Sequence, residues 1–161
     1  MDSWSIVLVF LLSLLPSFEG RYAILASLVL GLDLLSAFLI ASAAIIALSI
    51  VLGYLIYYID DIMGWFGRSR IGLLRRVKGF YDKYVLGVRR RAKPYVDRYG
   101  VPGLIVFVAI PLPATGVWTG ALAGYVLGME RRKLIPCLVA GGLVSNVIIL
   151  LSVLAAHRVA G

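Results

Sequence analysis

The sequence has very few of the residues that build disulfide frameworks, metal sites and catalytic centres. It contains one cysteine, Cys137, and one histidine, His157. A single cysteine cannot form a disulfide within the chain, and one cysteine with one histidine is not a metal-ligand cluster. The sequence also lacks a nucleophile–base pair and a phosphate-binding loop. We therefore predict no enzyme activity, no catalytic residue, no metal and no cofactor.

Acidic residues are also scarce. Eight Asp and Glu face sixteen Lys and Arg, which gives a net charge of +8. Eleven of the basic residues lie between Arg68 and Arg98, and residues 131–133 are three more in a row. Because 61% of the residues are hydrophobic and the mean hydropathy is +0.98, the charge does not indicate a nucleic-acid partner. The composition indicates a polytopic membrane protein, and the positive-inside rule places both basic clusters in the cytoplasm.

The apolar segments differ in length. Residues 34–59 and 134–156 are each long enough for a transmembrane helix, which needs about 20 residues. Residues 5–15 and 22–32 are too short, and the segment 101–127 is interrupted at residues 111–116 by two prolines, which cannot continue a regular helix. Two short apolar pieces joined by a polar turn favour a re-entrant hairpin, and a single kinked span is the alternative.

A basic linker at residues 64–99 separates the two apolar halves. Its apolar residues recur at spacings of three and four, with Lys and Arg between them. This pattern predicts one or two amphipathic helices on the cytoplasmic surface, where they would bind anionic headgroups. We expect Pro94 to end the helix.

A charged pair lies at the first break. Glu19 and Arg21 are two residues apart in an apolar run, with Gly20 between them and Pro16 three residues before Glu19. Each charge costs at least about 2.5–3.5 kcal/mol to insert into a bilayer. The pair indicates a transport site in which Glu19 binds a coupling proton or cation and Arg21 binds an anionic group. The alternative is a structural ion pair that holds the hairpin together.

The two halves of the chain resemble each other at a shift of 97 positions. Pro16 falls on Pro113, Gly31 falls on Gly128, and a long helix follows each glycine. This order indicates two repeats in one membrane domain, repeat 1 at residues 4–60 and repeat 2 at residues 100–157. The charges make the repeats inverted, with both termini outside and the hairpin tips facing each other near the midplane.

The second break supplies further candidates. Four residues could coordinate an ion or a headgroup oxygen at the second tip: Thr115, Gly116, Trp118 and Thr119. The two threonines could instead cap the broken helix ends. Trp118 aligns with Arg21 in the repeat and either stacks on its guanidinium or fills space. Asn146 in the last helix is either a site residue or an interhelical hydrogen-bonding group. Pro16, Pro111 and Pro113 are structural and make the breaks.

Two motifs carry a resemblance to a known family. Residues 18–24 (FEGRYAI) resemble the E-x-R-x-A-I/x-P signature of the small multidrug export family, and residues 113–121 (PATGVWTGA) are similar to its P-G-T-G-A-W-T-G-A motif. That family is similar in turn to the DedA/VTT (SNARE-associated-like) group. The resemblance to DedA implies two facing re-entrant hairpins and, for some members, proton- or sodium-coupled movement of phospholipids or polyprenyl phosphates. DedA-like second hairpins usually carry arginines, whereas residues 109–118 here have no charge.

Together these observations predict an all-α integral membrane protein of the cytoplasmic membrane. Each of its two inverted repeats would be a re-entrant helical hairpin plus a transmembrane helix. We expect transport of an amphipathic, anionic substrate such as a phospholipid or polyprenyl phosphate, coupled through Glu19 to a proton or cation. The alternatives are a proton-coupled exporter of cationic drugs, using Glu19, Trp118 and Tyr125, and a non-transporting membrane scaffold. The expected partners are membrane lipids, the substrate, the coupling ion and a second copy in a homodimer.

Overall fold

The structure is a computed structural model that describes residues 3–15, 23–26, 28, 30–112 and 115–160. For residues 3, 157, 159 and 160 it describes the backbone only. The described residues contain helices and turns and no strand. Six helices have these bounds: α1 Ser3–Leu14, α2 Leu34–Arg68, α3 Gly72–Tyr99, α4 Val101–Ala109, α5 Val117–Val126 and α6 Arg131–Ala160. Residues 23–26 are also helical. The all-α prediction is confirmed for this part of the chain.

The two long apolar helices predicted from the sequence are present as α2 and α6. Both are long and apolar enough to cross a membrane. The 35 residues of α2 correspond to about 52 Å at 1.5 Å per residue, whereas the hydrocarbon core is about 30 Å thick. The helix continues past the predicted end at Ile59 to Arg68. The turns that follow Asp60 therefore extend beyond an apolar layer of that thickness.

The break in the second half is also present. Helix α4 ends at Ala109 and α5 begins at Val117, with Pro111 in irregular structure between them. The two helices have nine and ten residues, or about 14–15 Å each. Each is half the length that a membrane span requires.

The linker forms one helix, α3, and the expectation that Pro94 ends it is wrong. Pro94 lies inside α3, which continues to Tyr99 and ends at Gly100 with a positive φ of 60°. Residues on both sides of the proline pack against the rest of the protein. Ala92 before it is buried in the core, and the Tyr95 ring after it lies 5.9 Å from the Phe107 ring. Helix α3 packs against α2, α4 and α5, and Val88 and Ala92 are its buried residues.

Equivalent turns precede the two long helices. Gly31 and Gly128 both have a positive φ, 68° and 75°, which glycine adopts without a steric penalty. Each glycine is followed three residues later by the first residue of α2 or α6. The two turns are therefore built alike at positions that the shift of 97 relates.

Glycines let α6 contact its neighbours closely. A Cβ added to Gly141 would lie 2.9 Å from the Ile105 carbonyl oxygen of α4, and one added to Gly142 would lie 2.5 Å from Ile45 Cγ2 of α2. Helix α6 thus packs between α2 and α4, and α1 packs against α2. These contacts fix α4 and α5 against the two long helices.

Candidate functional site

The end of α1 and the start of α5 are joined by a hydrogen bond. The indole Nε1–H of Trp118 donates to the carbonyl oxygen of Leu14 at 3.0 Å, across 104 positions of sequence. Leu14 is the last residue of α1 and Trp118 is the second residue of α5. The bond therefore joins the end of α1 to the start of α5, next to the break between α4 and α5.

An apolar cavity of about 250 Å³ lies beside this contact. Its walls come from α1, α2 and the Trp118 side chain, and no charged residue lines it among the described residues. The lining includes Phe10 and Leu14 of α1 and Leu48, Val51 and Leu55 of α2. Such a cavity suits the apolar part of a ligand.

Thr115 stabilises the break itself. Its hydroxyl lies 2.6 Å from the Ile110 carbonyl oxygen and 2.7 Å from that of Leu112. The last carbonyls of a helix lack partners within the helix, so Thr115 supplies a donor just beyond the end of α4. Gly116 is buried, and its carbonyl accepts the first bond of α5, from the Gly120 N–H at 2.7 Å. For Thr115, the geometry matches the capping alternative.

Thr119 contacts the linker helix rather than a helix end. Its side-chain oxygen lies 3.4 Å from the hydroxyl of Tyr84 on α3, and only 4% of the residue is exposed. This contact gives α3 a polar connection to the helix that carries Trp118.

Asn146 joins the two long helices. It is 1% exposed, and its side-chain nitrogen donates to the Ser42 hydroxyl oxygen at 3.4 Å. Hydrogen bonds of this kind connect helices in apolar surroundings. The geometry of Asn146 matches the interhelical alternative.

Several predicted site residues lie outside the described residues. They are Glu19, Arg21, Pro16 and Pro113. The Glu19–Arg21 pair and the stacking of Trp118 on Arg21 therefore stay predictions.

A second polar cluster lies where α2, α5 and α6 meet, and of its residues the sequence analysis had named only Tyr125 as a site candidate. The Tyr125 hydroxyl donates to Asp60 Oδ2 at 3.0 Å, and the Tyr57 hydroxyl donates to the Met129 carbonyl at 2.7 Å. The rings of Tyr57 and Tyr125 meet edge to face at 5.0 Å. The guanidinium carbon of Arg131 lies 4.4 Å from the centre of the Tyr57 ring. We call this group, Tyr57, Asp60, Tyr125 and Arg131, the basic-end cluster.

The basic-end cluster borders an open cavity of about 840 Å³. On α3, the Tyr81 hydroxyl is buried and has no hydrogen-bond partner among the described residues. The pKa of Tyr81 is raised to about 12, mainly by burial and secondly by the nearby Asp60 carboxylate. From the sequence alone, Tyr54, Tyr57 and Tyr58 near the end of α2 fit an interfacial aromatic belt. These tyrosines closely precede Asp60 and Asp61 in the sequence. Several tyrosines next to two carboxylates were the signal that could have indicated a site.

Comparisons with known proteins identify a family. Residues 19–148 match the family described as "Putative small multi-drug export protein". The comparison with curated proteins returned no match, and neither did the comparison with solved structures. The matched stretch contains the Glu19–Arg21 pair and the motif around Trp118, and it covers well over half of the chain. The chain therefore belongs to the small multi-drug export family.

Proposed function

We propose that this protein exports an amphipathic substrate across a membrane and binds it where the two chain breaks meet. The observation that carries the proposal is the hydrogen bond from Trp118 to the Leu14 carbonyl. Membership of an export family indicates transport, and α2 and α6 are apolar enough to span a bilayer.

The proposed architecture has two inverted repeats, each with a re-entrant hairpin and a spanning helix. The matching turns at Gly31 and Gly128 support it, as do the short helices α1, α4 and α5. Alternating access would take place around the facing tips, as in other transporters with discontinuous helices. The basic linker would lie in the cytoplasm and both termini outside. Because so few helices enclose a pathway, we include a homodimer in the proposal.

The charged part of the substrate would meet Glu19 and Arg21. These residues follow Leu14 by five and seven positions, so even an extended chain keeps Glu19 within about 18 Å of the contact with Trp118. Arg21 would bind an anionic group, since a guanidinium suits phosphate. Glu19 would take up the coupling proton or cation. The resemblance to DedA makes a phospholipid or polyprenyl phosphate the first substrate to test.

A cationic drug is the second candidate substrate. The family description favours it, and an indole lines the apolar cavity, where it can contact a lipophilic cation. In this version Glu19 would balance the charge of the cation and would carry protons in exchange. Arg21 would then have no direct role in binding.

Flux into proteoliposomes tests both candidates. We would compare wild type with Glu19→Gln and Arg21→Ala, and with Asp97→Asn as an exposed control. The two substrates are a fluorescent anionic phospholipid and a lipophilic cation. Loss of lipid flux in both variants supports the first candidate, and loss of cation flux in Glu19→Gln alone supports the second. Absence of flux of either substrate in folded wild type contradicts transport of both classes and favours the scaffold.

A further inference from the structure

We propose that the open cavity beside the basic-end cluster binds a zwitterionic headgroup that carries both an amine and a phosphate. The proposal rests on the membrane placement proposed above, but not on transport. Trp118 and Tyr125 are seven residues apart on α5, or about 10 Å along the helix. The headgroup site is therefore separate from the contact between the two breaks.

The amine would bind at the Asp60 side of the cavity. Oδ2 of Asp60 accepts the Tyr125 hydroxyl, which leaves Oδ1 for another donor. The described residues contain ion pairs at Lys78–Asp82 and Lys93–Asp97 and none at Asp60. A carboxylate without a cation partner, next to two tyrosine rings, attracts an ammonium group.

The phosphate would bind at the Arg131 side. The Arg131 guanidinium lies against the face of the Tyr57 ring and also within 6 Å of the Tyr54 and Tyr58 rings. A ring face holds a guanidinium in position and leaves its in-plane N–H groups free to donate. Those groups match two phosphate oxygens at once. The tyrosines thus orient Arg131 without using its hydrogen-bonding edge.

The depth of the cavity fits a lipid headgroup. Asp60 follows Leu34, the first residue of α2, by 26 positions, or about 39 Å along the helix, which exceeds the hydrocarbon thickness of about 30 Å. Tyrosines are typical of the same interfacial level. The cavity volume of about 840 Å³ lies in the usual range for ligand sites.

The charges of the lining favour a zwitterion over a simple ion. Two acids, Asp60 and Glu130, and two arginines, Arg131 and Arg132, line the same cavity. An anion alone would meet the two carboxylates, and a cation alone would meet the two guanidinium groups. A headgroup with both charges can pair with each side. Val85, Val126 and Met129 add apolar surface for the atoms next to the headgroup.

Calorimetric titration of the full-length protein in detergent tests the proposal. The probes are short-chain phosphatidylethanolamine, phosphatidylcholine and phosphatidylglycerol, together with water-soluble glycerophosphoethanolamine and the simple quaternary amine choline. We expect the two zwitterionic lipids to bind about tenfold tighter than phosphatidylglycerol, as for one added charged contact. If glycerophosphoethanolamine binds as tightly as the two zwitterionic lipids, the amine and phosphate recognition is supported. The ligand would then be a soluble molecule and not a lipid.

The variants separate the two sides of the site. Asp60→Asn should abolish the preference for zwitterions, and Arg131→Gln should weaken all three lipids. Asp61→Asn, an exposed carboxylate next in sequence that does not line the cavity, is the matched control and should bind as wild type does. If Arg131→Gln does not fold, Arg132→Gln tests the same side of the cavity.

Two results would overturn the proposal. One is tighter binding of phosphatidylglycerol than of the zwitterions. The other is binding of a simple quaternary amine with equal affinity and without sensitivity to the arginine variants. Loss of flux with intact headgroup binding would contradict only the proposed function. Intact flux without headgroup binding would contradict only the inference made for this cavity.

Discussion

Trp118 shows how a single side chain can join two distant parts of the chain. The carbonyl of Leu14 lies in the last turn of α1, where the helix supplies no N–H donor. The indole N–H satisfies it at 3.0 Å. The sequence indicated Trp118 as a tip residue because it follows a proline break. Its partner could not be predicted, since no local pattern relates residues 104 positions apart.

Removing only this hydrogen bond should destabilise the contact between α1 and α5. Trp118→Phe keeps an aromatic ring and loses the N–H donor. We expect the free energy of unfolding to fall by about 0.5–1.5 kcal/mol, the usual net value of one hydrogen bond. Thermal unfolding in detergent measures it, with Trp65→Phe as the control because Trp65 is 62% exposed. An equal loss in both variants would mean that the bond contributes nothing specific.

Other residues at the site were predicted only as pairs of alternatives. Thr115 and Asn146 were candidates for ligand contacts or for structural roles, and their hydrogen bonds go to the Ile110 and Leu112 carbonyls and to Ser42. Residue type alone could not decide, because a buried hydroxyl or amide must find a partner in either case. The basic-end cluster was missed because Tyr57 and Asp60 meet residues more than 60 positions away.

Tyr81 should leave a signature at alkaline pH. Its pKa is raised from 10.0 to about 12, so between these values the unfolded phenol is ionised while the folded one keeps its proton. The unfolded state then binds fewer protons, and stability falls as pH rises through this window. An ultraviolet titration of tyrosine should show a step near pH 12 in wild type. The step should vanish in Tyr81→Phe and persist in Tyr99→Phe, which removes an exposed tyrosine of the same helix.

Local sequence determines some helix ends and not others. The break between α4 and α5 and the turns at Gly31 and Gly128 were predicted because proline and glycine act on their own backbone. Helix α3 crosses Pro94 although proline inside a helix costs about 3 kcal/mol. Its neighbours in space offset that cost, since Val88 and Ala92 are buried in the core. Such tertiary packing is invisible in a local pattern.

The close approach of α3 and α4 leads to a prediction about their packing. A Cβ at Gly103 would overlap the Tyr95 carbonyl oxygen, a backbone atom, whereas a Cβ at Gly87 of α3 would meet nothing within 4 Å. Gly103→Ala should therefore lower stability by about 1–3 kcal/mol, as overpacking does. Gly87→Ala should be neutral or raise stability by about 0.5–1 kcal/mol, because alanine favours the helix. Unfolding in denaturant compares the two, and equal stability would contradict the close packing.

At the scale of the whole molecule, the proposed inversion depends on charge. Helix α2 ends in the basic linker and α6 begins with Arg131, Arg132 and Lys133. If both basic clusters are in the cytoplasm, α2 enters it with its C-terminal end and α6 leaves from it with its N-terminal end. Equivalent positions at the starts of α2 and α6 must then face opposite sides of the membrane. A parallel repeat would put them on the same side.

Leu35 and Arg132 are such a pair, since both are exposed, both are the second residue of their helix, and the shift of 97 relates them. We would place a single cysteine at each position in a Cys137→Ala background, with Lys83→Cys as a marker for the linker. A membrane-impermeant thiol reagent added to intact cells should label Leu35→Cys alone, and inside-out vesicles should give labelling at the other two. Labelling of Leu35→Cys and Arg132→Cys from the same side would exclude inverted repeats, and α4 and α5 would then have to cross the membrane as one kinked span.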